Sequence, residues 1–456
     1  MIDAALSIVE PVVIVSLLGM ILVGLSYLAL PCLSMLARRS GSGAIDGNCD
    51  TDRTPPDGLP DVLIQLPVFN EPAVVAELLD TVAAIDWPRE KLHIQLLDDS
   101  IDRTGEIAQK KIAELKARGL RIDHVCRDHR SGYKAAALAY GLEHSAAPFV
   151  AVLDADFRPP PDWLKSVMPR LLADPCAGFV QSRCEFSNAN LNWLTRTQAL
   201  LFDAHFVMEQ AVRERAGLVI QFNGTAAVWR RRAIEDAGGW SDDSLSEDLD
   251  LTIRAALSGW HGVFSMNPAV PGLVPHRVEH WRVQQGRWVQ GFVQTARKLG
   301  SAIWSSNWSL IRKTSVWFLL LYQLIFPIMV VAVASGLLDF ALRRGQLPLF
   351  PSVLAAIVVS MIPLVALSMT LPPYLALRRG SLAQFACTLV MMPPLIMYLA
   401  FANIAPMLAA IFGRSGPFHR TPKGEPELPP EEEPVSAWVP IEARFGGTQS
   451  TGRAKT

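Results

Sequence analysis

The sequence predicts an α/β domain, built on a mostly parallel sheet with helices on both faces, held between transmembrane helices. Three observations lead there. Half of the 456 residues are hydrophobic, only 19% are charged and the mean hydropathy is +0.24, too apolar for a soluble chain of this length. Long apolar runs stand at 11–37, 316–338, 350–371 and 382–412, the last interrupted by Pro393 and Pro394. Between the first run and the others, short β-prone segments alternate with helical patterns, as in a sheet covered on both sides.

The first run is long enough to cross a bilayer, with Asp3 and Glu10 before it and Arg38 and Arg39 after it. Positive residues on the following side put the N-terminus outside and the next segment in the cytosol. A cleaved signal would carry basic residues in front of a shorter core, and Pro31 before Cys32 spoils a lipoprotein-type cleavage site, so the run reads as a retained anchor. Arg312 and Lys313 precede the second run and Arg378 and Arg379 follow the third, so both flanks read as cytosolic. Arg343 and Arg344 in the loop between them weaken the bias without reversing it. From residue 414 the tail is rich in Pro, Glu and Gly and reads as disordered. The expected organisation is an anchor and linker at 1–53, a catalytic domain at 54–312, membrane helices at 313–413, and a tail at 414–456.

The net charge of −1 gives no sign of a nucleic-acid surface, and the six cysteines show neither metal-ligand spacing nor a disulfide pattern, which suits a reducing compartment for most of the chain. In the domain the strands read as "VLIQL" 62–66, "HIQLL" 93–97, "LRIDHV" 120–125 and "FVAVL" 149–153, with helices near 72–86, 103–118 and 133–144. Ligands of open α/β sheets bind beyond the carboxyl ends of the strands. Asp98 and Asp99 follow the second strand, and Asp154 and Asp156 the fourth. A single strand-end aspartate commonly caps a turn, whereas an Asp-x-Asp pair can present two oxygens to a hard divalent cation. Glu247, Asp248 and Asp250 in "SLSEDLDL" read on their own as the acidic first turn of a helix.

The segment "VEHWRVQQGRWVQGF", 278–292, has helical spacing. Trp281, Gln284, Trp288 and Phe292 fall on one stripe, with Arg287 one turn beyond Gln284. Two readings stand: an amphipathic helix at a membrane boundary, or a site where arginine grips phosphate and indole stacks on a sugar.

These segments together resemble the membrane-bound family 2 glycosyltransferases with a GT-A fold. The resemblance runs from about 61 to 300 and rests on "QLPVFNE" (65–71), "LLDDSID" (96–102), "RSGYKAAAL" (130–138), "LDADFRPPPDWL" (153–164), "VQSR" (180–183), "FNGTAAVWRR" (222–231), "GGWSDDSLSEDLDL" (238–251) and Gln284-Gln285-Gly286-Arg287-Trp288, which matches the family's Q-x-x-R-W. It is greatest to cellulose-synthase-like glucomannan mannosyltransferases and bacterial cellulose synthase. The resemblance implies that Asp98 and Asp99 hold the nucleoside of a UDP- or GDP-hexose donor. It implies that Asp154 and Asp156 hold Mg²⁺ or Mn²⁺ on the diphosphate, and that Asp248, beside Glu247, is the catalytic base. Gln284, Arg287 and Trp288 would contact diphosphate and acceptor sugar, and Lys134 reads either as a donor contact or as a solvated lysine at a helix start.

The implied reaction is an inverting transfer to a growing β-linked polysaccharide, or alternatively to a diacylglycerol or ceramide lipid. The enzyme is then expected in the cell (inner) membrane, multi-pass, with a cytosolic catalytic domain, membrane lipids around it and export subunits as possible partners. Two departures stand out: Ala136 where members often carry glycine, which would narrow the donor pocket, and Ser246 where threonine is common. Phe418, Thr421 and Lys423 resemble a gating-loop motif. Four simple crossings would put that motif on the side away from the catalytic site, unless the segment from 382 does not cross once.

Overall fold

The structure, a computed structural model, describes residues 2–37, 58–377 and 380–413, with 30–37 as backbone only. Helix α1 (Ile2–Ala37) leads to β1 (Val62–Val68), α2 (Val75–Ala83), β2 (Leu92–Asp98), α3 (Thr104–Ala117), β3 (Arg121–Cys126), α4 (Tyr133–Glu143) and β4 (Phe149–Val152). There follow α5 (Trp163–Ala173), β5 (Ala177–Phe186), α6 (Trp193–Asp203), a π-helical segment (Ala204–Gln210), α7 (Ala211–Arg215), β6 (Ala227–Arg230), α8 (Arg231–Asp236), α9 (Glu247–Leu257), β7 (His261–Gly272) and α10 (Val278–Ser305). The remaining helices are α11 (Leu310–Leu321), α12 (Ile325–Leu342), α13 (Leu349–Leu377), α14 (Leu382–Ala402) and α15 (Ile404–Ile411).

The strands form one sheet in the order β3-β2-β1-β4-β6-β5-β7, parallel except where β6 runs against β4 and β5. Strands β2 and β4 are buried along their whole length and β1 along nearly all of it, as expected when helices cover both faces. The four expected strands and the helices between them are present within a few residues. Helix α2 begins later than the pattern suggested, after turns at 72–74.

Among the described residues, four helical stretches are long and apolar enough to cross a membrane: Ile2–Ala29, Leu310–Leu342, Leu349–Leu377 and Leu382–Ile411. Two of them differ from the sequence expectation. The second breaks at Tyr322–Leu324, and α11 before the break packs Val316, Leu319 and Leu320 against Leu249, Ile253, Leu299 and Ile303 of the catalytic domain. In the fourth, Pro393 and Pro394 stay inside α14, and the break comes at Asn403. Helices α14 and α15 touch the catalytic domain along their length. Phe385 and Met392 meet Leu200, Leu395 and Leu399 meet Leu194 and Trp281, and Met407 and Ala410 meet Val289 and Val293.

Helices α1, α12 and α13 pack together through Val13, Leu17, Ala332, Leu354 and Val358. Arg343 is paired with Asp339 at 3.1 Å and Glu10 at 2.5 Å, which offsets its charge and joins the start of α1 to the end of α12. Among the described residues, Cys126, Cys184 and Cys387 are free thiols. Arg38, Arg39, Arg378, Arg379, the gate-like motif and the tail lie outside the described residues.

Candidate active site

A cavity of about 770 Å³ opens at the carboxyl ends of β1 and β4 and continues between the membrane helices. It gathers Asp99, Lys134, Asp154, Asp156, Glu247, Asp248, Gln284, Arg287 and Trp288 on its wall. Of the residues to which the resemblance gives a donor, metal, catalytic or acceptor role, Asp98 alone is not there. Its buried carboxylate accepts from the Ser100 N–H at 2.9 Å and bonds His124 Nε2 at 2.8 Å, and these contacts hold its pKa low against the opposing effect of burial. Asp99 faces the cavity and forms a two-pronged pair with Arg127, whose Nε donates to Oδ1 at 3.0 Å and whose Nη2 donates to Oδ2. Above it the Arg130 guanidinium stacks on Phe69, 3.3 Å from the ring centre.

Lys134, in the first turn of α4, stands at the centre of the site. Its Nζ donates to Asp154 Oδ1 at 2.6 Å and to the Gly224 carbonyl at 2.8 Å, and lies 3.5 Å from Glu247 Oε1. Burial works against its charge, but Asp154 and Glu247 outweigh that and hold its pKa above the ordinary lysine value. The solvated-lysine reading is thereby set aside. Gly224 has φ +79°, and a Cβ there would come within 3.1 Å of Asp248 Oδ2, so glycine permits both the turn and the close approach.

Asp248 is pushed up to about 7 by burial and by its neighbour Glu247, while Lys134, the Leu249 N–H and Arg287 pull it down. Asp248 is therefore poised near neutrality, the range that suits a general base. Loop 244–246 before it is stitched to α10: Leu245 N–H donates to Gln294 Oε1 at 2.9 Å, and Ser244 Oγ lies 3.1 Å from Thr295 Oγ1.

The α10 stripe is as the spacing predicts. Trp281, Gln284 and Phe292 are buried and line the cavity with half-buried Trp288, which meets Phe202 edge to face at 6.1 Å. Gln284 Oε1 has no hydrogen-bond partner among the described residues. Ala136, whose extra methyl was expected to narrow the donor pocket, does not line the cavity, whereas Ala137 does.

Asp154 and Asp156 are hard oxygen donors on one wall, and Asp156 Oδ2 is steadied by the Leu273 N–H at 3.1 Å. Two carboxylates completed by phosphate oxygens are a donor set that Mg²⁺ or Mn²⁺ accepts, and the Lys134 ammonium on Asp154 shows that positive charge is stabilised there. A separate cluster, Asp98, His124 and Cys126, brings a carboxylate oxygen, an imidazole nitrogen and a thiol sulfur within 4.8 Å of one another at the ends of β2 and β3.

The cavity also holds residues to which the sequence reading gave no role. His205 and Glu209, on the π-helical segment, pair at 2.9 Å, and Asn223 lies 3.0 Å from His205. Burial would raise the Glu209 pKa, but Arg213 and His205 bring it to about 2. Their i, i+4 spacing was the available signal.

The family model described as glycosyltransferase like family 2 matches residues 60–291, just over half of the chain. The chain belongs to this family. Among the relatives of this family 2 member, glucomannan 4-beta-mannosyltransferase 7 of Arabidopsis thaliana is 38% identical over 302 residues, covering 64% of this chain and 53% of the relative. A probable glucomannan 4-beta-mannosyltransferase 4 of Oryza sativa subsp. japonica is 37% identical over 305 residues, covering 64% and 55%. The chain spans about half the length of these curated relatives. The solved mannosyltransferase PcManGT from Pyrobaculum calidifontis, in complex with GDP-Man and Mn²⁺, is 22% identical, with a TM-score of 0.61 over 90% of this chain and 100% of that one. That likeness bears out the GT-A fold.

Proposed function

We propose that the chain is a membrane-embedded inverting glycosyltransferase that moves a hexosyl unit from a nucleoside-diphosphate hexose to a growing β-linked glycan of glucan, mannan or glucomannan type. The observation that carries this reading is the meeting of two acidic pairs, a lysine and the Q-x-x-R-W side chains on one cavity wall. In the reaction the acceptor hydroxyl oxygen bonds to the anomeric carbon as the carbon–oxygen bond to the diphosphate breaks. Asp248 takes the hydroxyl proton, and the nucleoside diphosphate leaves with the bonding pair. Arg287 and Lys134 offset charge on the leaving group, Trp288 and Gln284 seat the acceptor, and Asp99 with Arg127 meets the nucleoside. Asp98 supports that corner from behind through His124. Asp154 and Asp156 would hold Mg²⁺ or Mn²⁺, which when bound neutralises the diphosphate. Glu247 keeps Lys134 in place and keeps the Asp248 pKa high.

The relatives named as glucomannan 4-beta-mannosyltransferases favour mannose as the transferred hexose and a β-glycan over a diacylglycerol or ceramide acceptor. We place the domain on the cytosolic face of the cell membrane, with α1, α12 and α13 crossing and α14–α15 laid along the domain, so that residue 413 returns to the catalytic side. The test is the purified chain in a lipid bilayer disc with labelled UDP- and GDP-hexoses, the product being sized and extracted with solvent. Labelled glycan of more than one added unit supports the reading; no transfer from any donor, or one-sugar diacylglycerol product alone, overturns it.

A further inference from the structure

Below the carboxylates the cavity changes character. It runs down α13 from Thr370 to Val358, about 18 Å at helical rise, more than half the hydrocarbon thickness of a bilayer. The polar side chains that the membrane helices offer to it are Tyr27, Tyr322, Gln323 and Thr370, all at the catalytic end, and the Thr370 hydroxyl already donates to the Ala366 carbonyl. Deeper than these every lining side chain is apolar. Met20, Met329, Met361, Met369, Met392 and Met397 all line it, six of the 13 methionines in the chain. Beyond Met20 on α1 and next to Val358 on α13, the helices pack on one another through Val13, Leu17, Ala332 and Leu354.

A hexose brought into this part would lose water from several hydroxyls and find no partner for them. A hydrocarbon chain loses nothing of the kind, and methionine, flexible and polarisable, conforms to chains of irregular shape. The chamber is also continuous with Asp248 and Trp288, so one molecule could span both. We propose that the chamber holds the hydrocarbon tail of a lipid-linked acceptor, whose glycan end lies at Trp288 beside Asp248. The inference rests on the glycosyltransferase reading for the sugar end, and it narrows the acceptor to a glycan carried on a lipid.

The chamber can be filled from two walls without touching the catalytic side chains. Ala366→Trp adds an indole from α13. Gly24→Leu pushes aside the tip of Met361, which an added Cβ would approach to 2.6 Å. The probe is a β-linked gluco- or manno-oligosaccharide, free or carrying at its reducing end a sixteen-carbon alkyl chain with a diazirine at its tip. With the full chain in a bilayer disc, ultraviolet light should attach the tailed probe to peptides of α13 and α14 in the wild type, without any need for turnover. Both variants should cut that labelling and raise the KM for the tailed acceptor, each about ten-fold, while turnover of the free oligosaccharide and thermal unfolding stay as in the wild type. Partitioning of the tail into the bilayer is the same for all three proteins, so it cannot imitate this difference. The proposal is overturned if the wild type is not labelled, if a diazirine phospholipid labels the same peptides and the tailed glycan does not compete, or if the variants slow free and tailed acceptors alike, which would make the chamber a glycan passage. Absence of all transfer with labelling intact would count against the transferase reading and leave the hydrocarbon site standing.

Discussion

Gly291 on α10 lies so close to Ser246, the residue before α9, that a Cβ on the glycine would come within 2.0 Å of Ser246 Oγ and 2.7 Å of its backbone nitrogen. The helix that carries Arg287 and Trp288 is thus seated directly on the start of the helix that carries Glu247 and Asp248. Because backbone stands in the way, Gly291→Ala must part the two helices. A displacement of about 1 Å at a reacting group can cost on the order of 10²-fold in rate. The expected result is a fall in kcat of that size, with donor KM little changed, read from steady-state transfer.

Asp248→Asn keeps the shape of the side chain but cannot accept the proton. Transfer should fall by roughly 10²–10⁴ while nucleotide binding persists. In the wild type kcat/KM should climb as pH rises through about 7, since the base must be deprotonated, and that limb should be missing in the variant. A variant keeping more than about a tenth of the activity would remove Asp248 from this role.

The same shift has a consequence for stability. The folded pKa of about 7 lies above the ordinary value of 3.8, so the folded state binds the extra proton and the wild type loses stability as pH rises from about 4 through 7. Asp248→Asn lacks this loss. Its melting temperature should exceed that of the wild type at pH 8, and the difference should shrink toward pH 5.

Lys134→Met removes the positive charge that lowers the Asp248 pKa and the ammonium that holds Asp154 and Glu247. The acid limb of the pH–rate profile should therefore move to higher pH, and transfer at pH 7 should fall more steeply than at pH 8.5. An unshifted limb would show that Lys134 does not act on Asp248.

Asp156→Ala should weaken nucleoside-diphosphate binding much more with Mg²⁺ or Mn²⁺ than in chelator, because the dication is shared between carboxylate and phosphate oxygens. Calorimetry with and without metal measures the difference. Full activity of the wild type in excess chelator would contradict the metal role of Asp154 and Asp156.

The alternation of strand and helix from 62 to 152, the aspartates at the strand ends and the stripe on α10 were all legible in the sequence, because each follows from local periodicity and from which face must be buried. The sequence by itself also determined that the chain carries several membrane-length apolar helices. It did not determine which surfaces those helices meet. Hydropathy reports how apolar α11 and α14 are, and either lipid or the catalytic domain can satisfy it; only the tertiary structure shows which face packs, with Leu319 on Ile253 and Leu399 on Trp281, while Val390, Met391 and Phe401 of α14 stay exposed. Tertiary structure likewise turned Asp98 toward His124, set Arg127 against Asp99, and brought His205 and Glu209 into the cavity on a π-helical segment. Those outcomes depend on partners brought from other strands and helices, which no local pattern encodes.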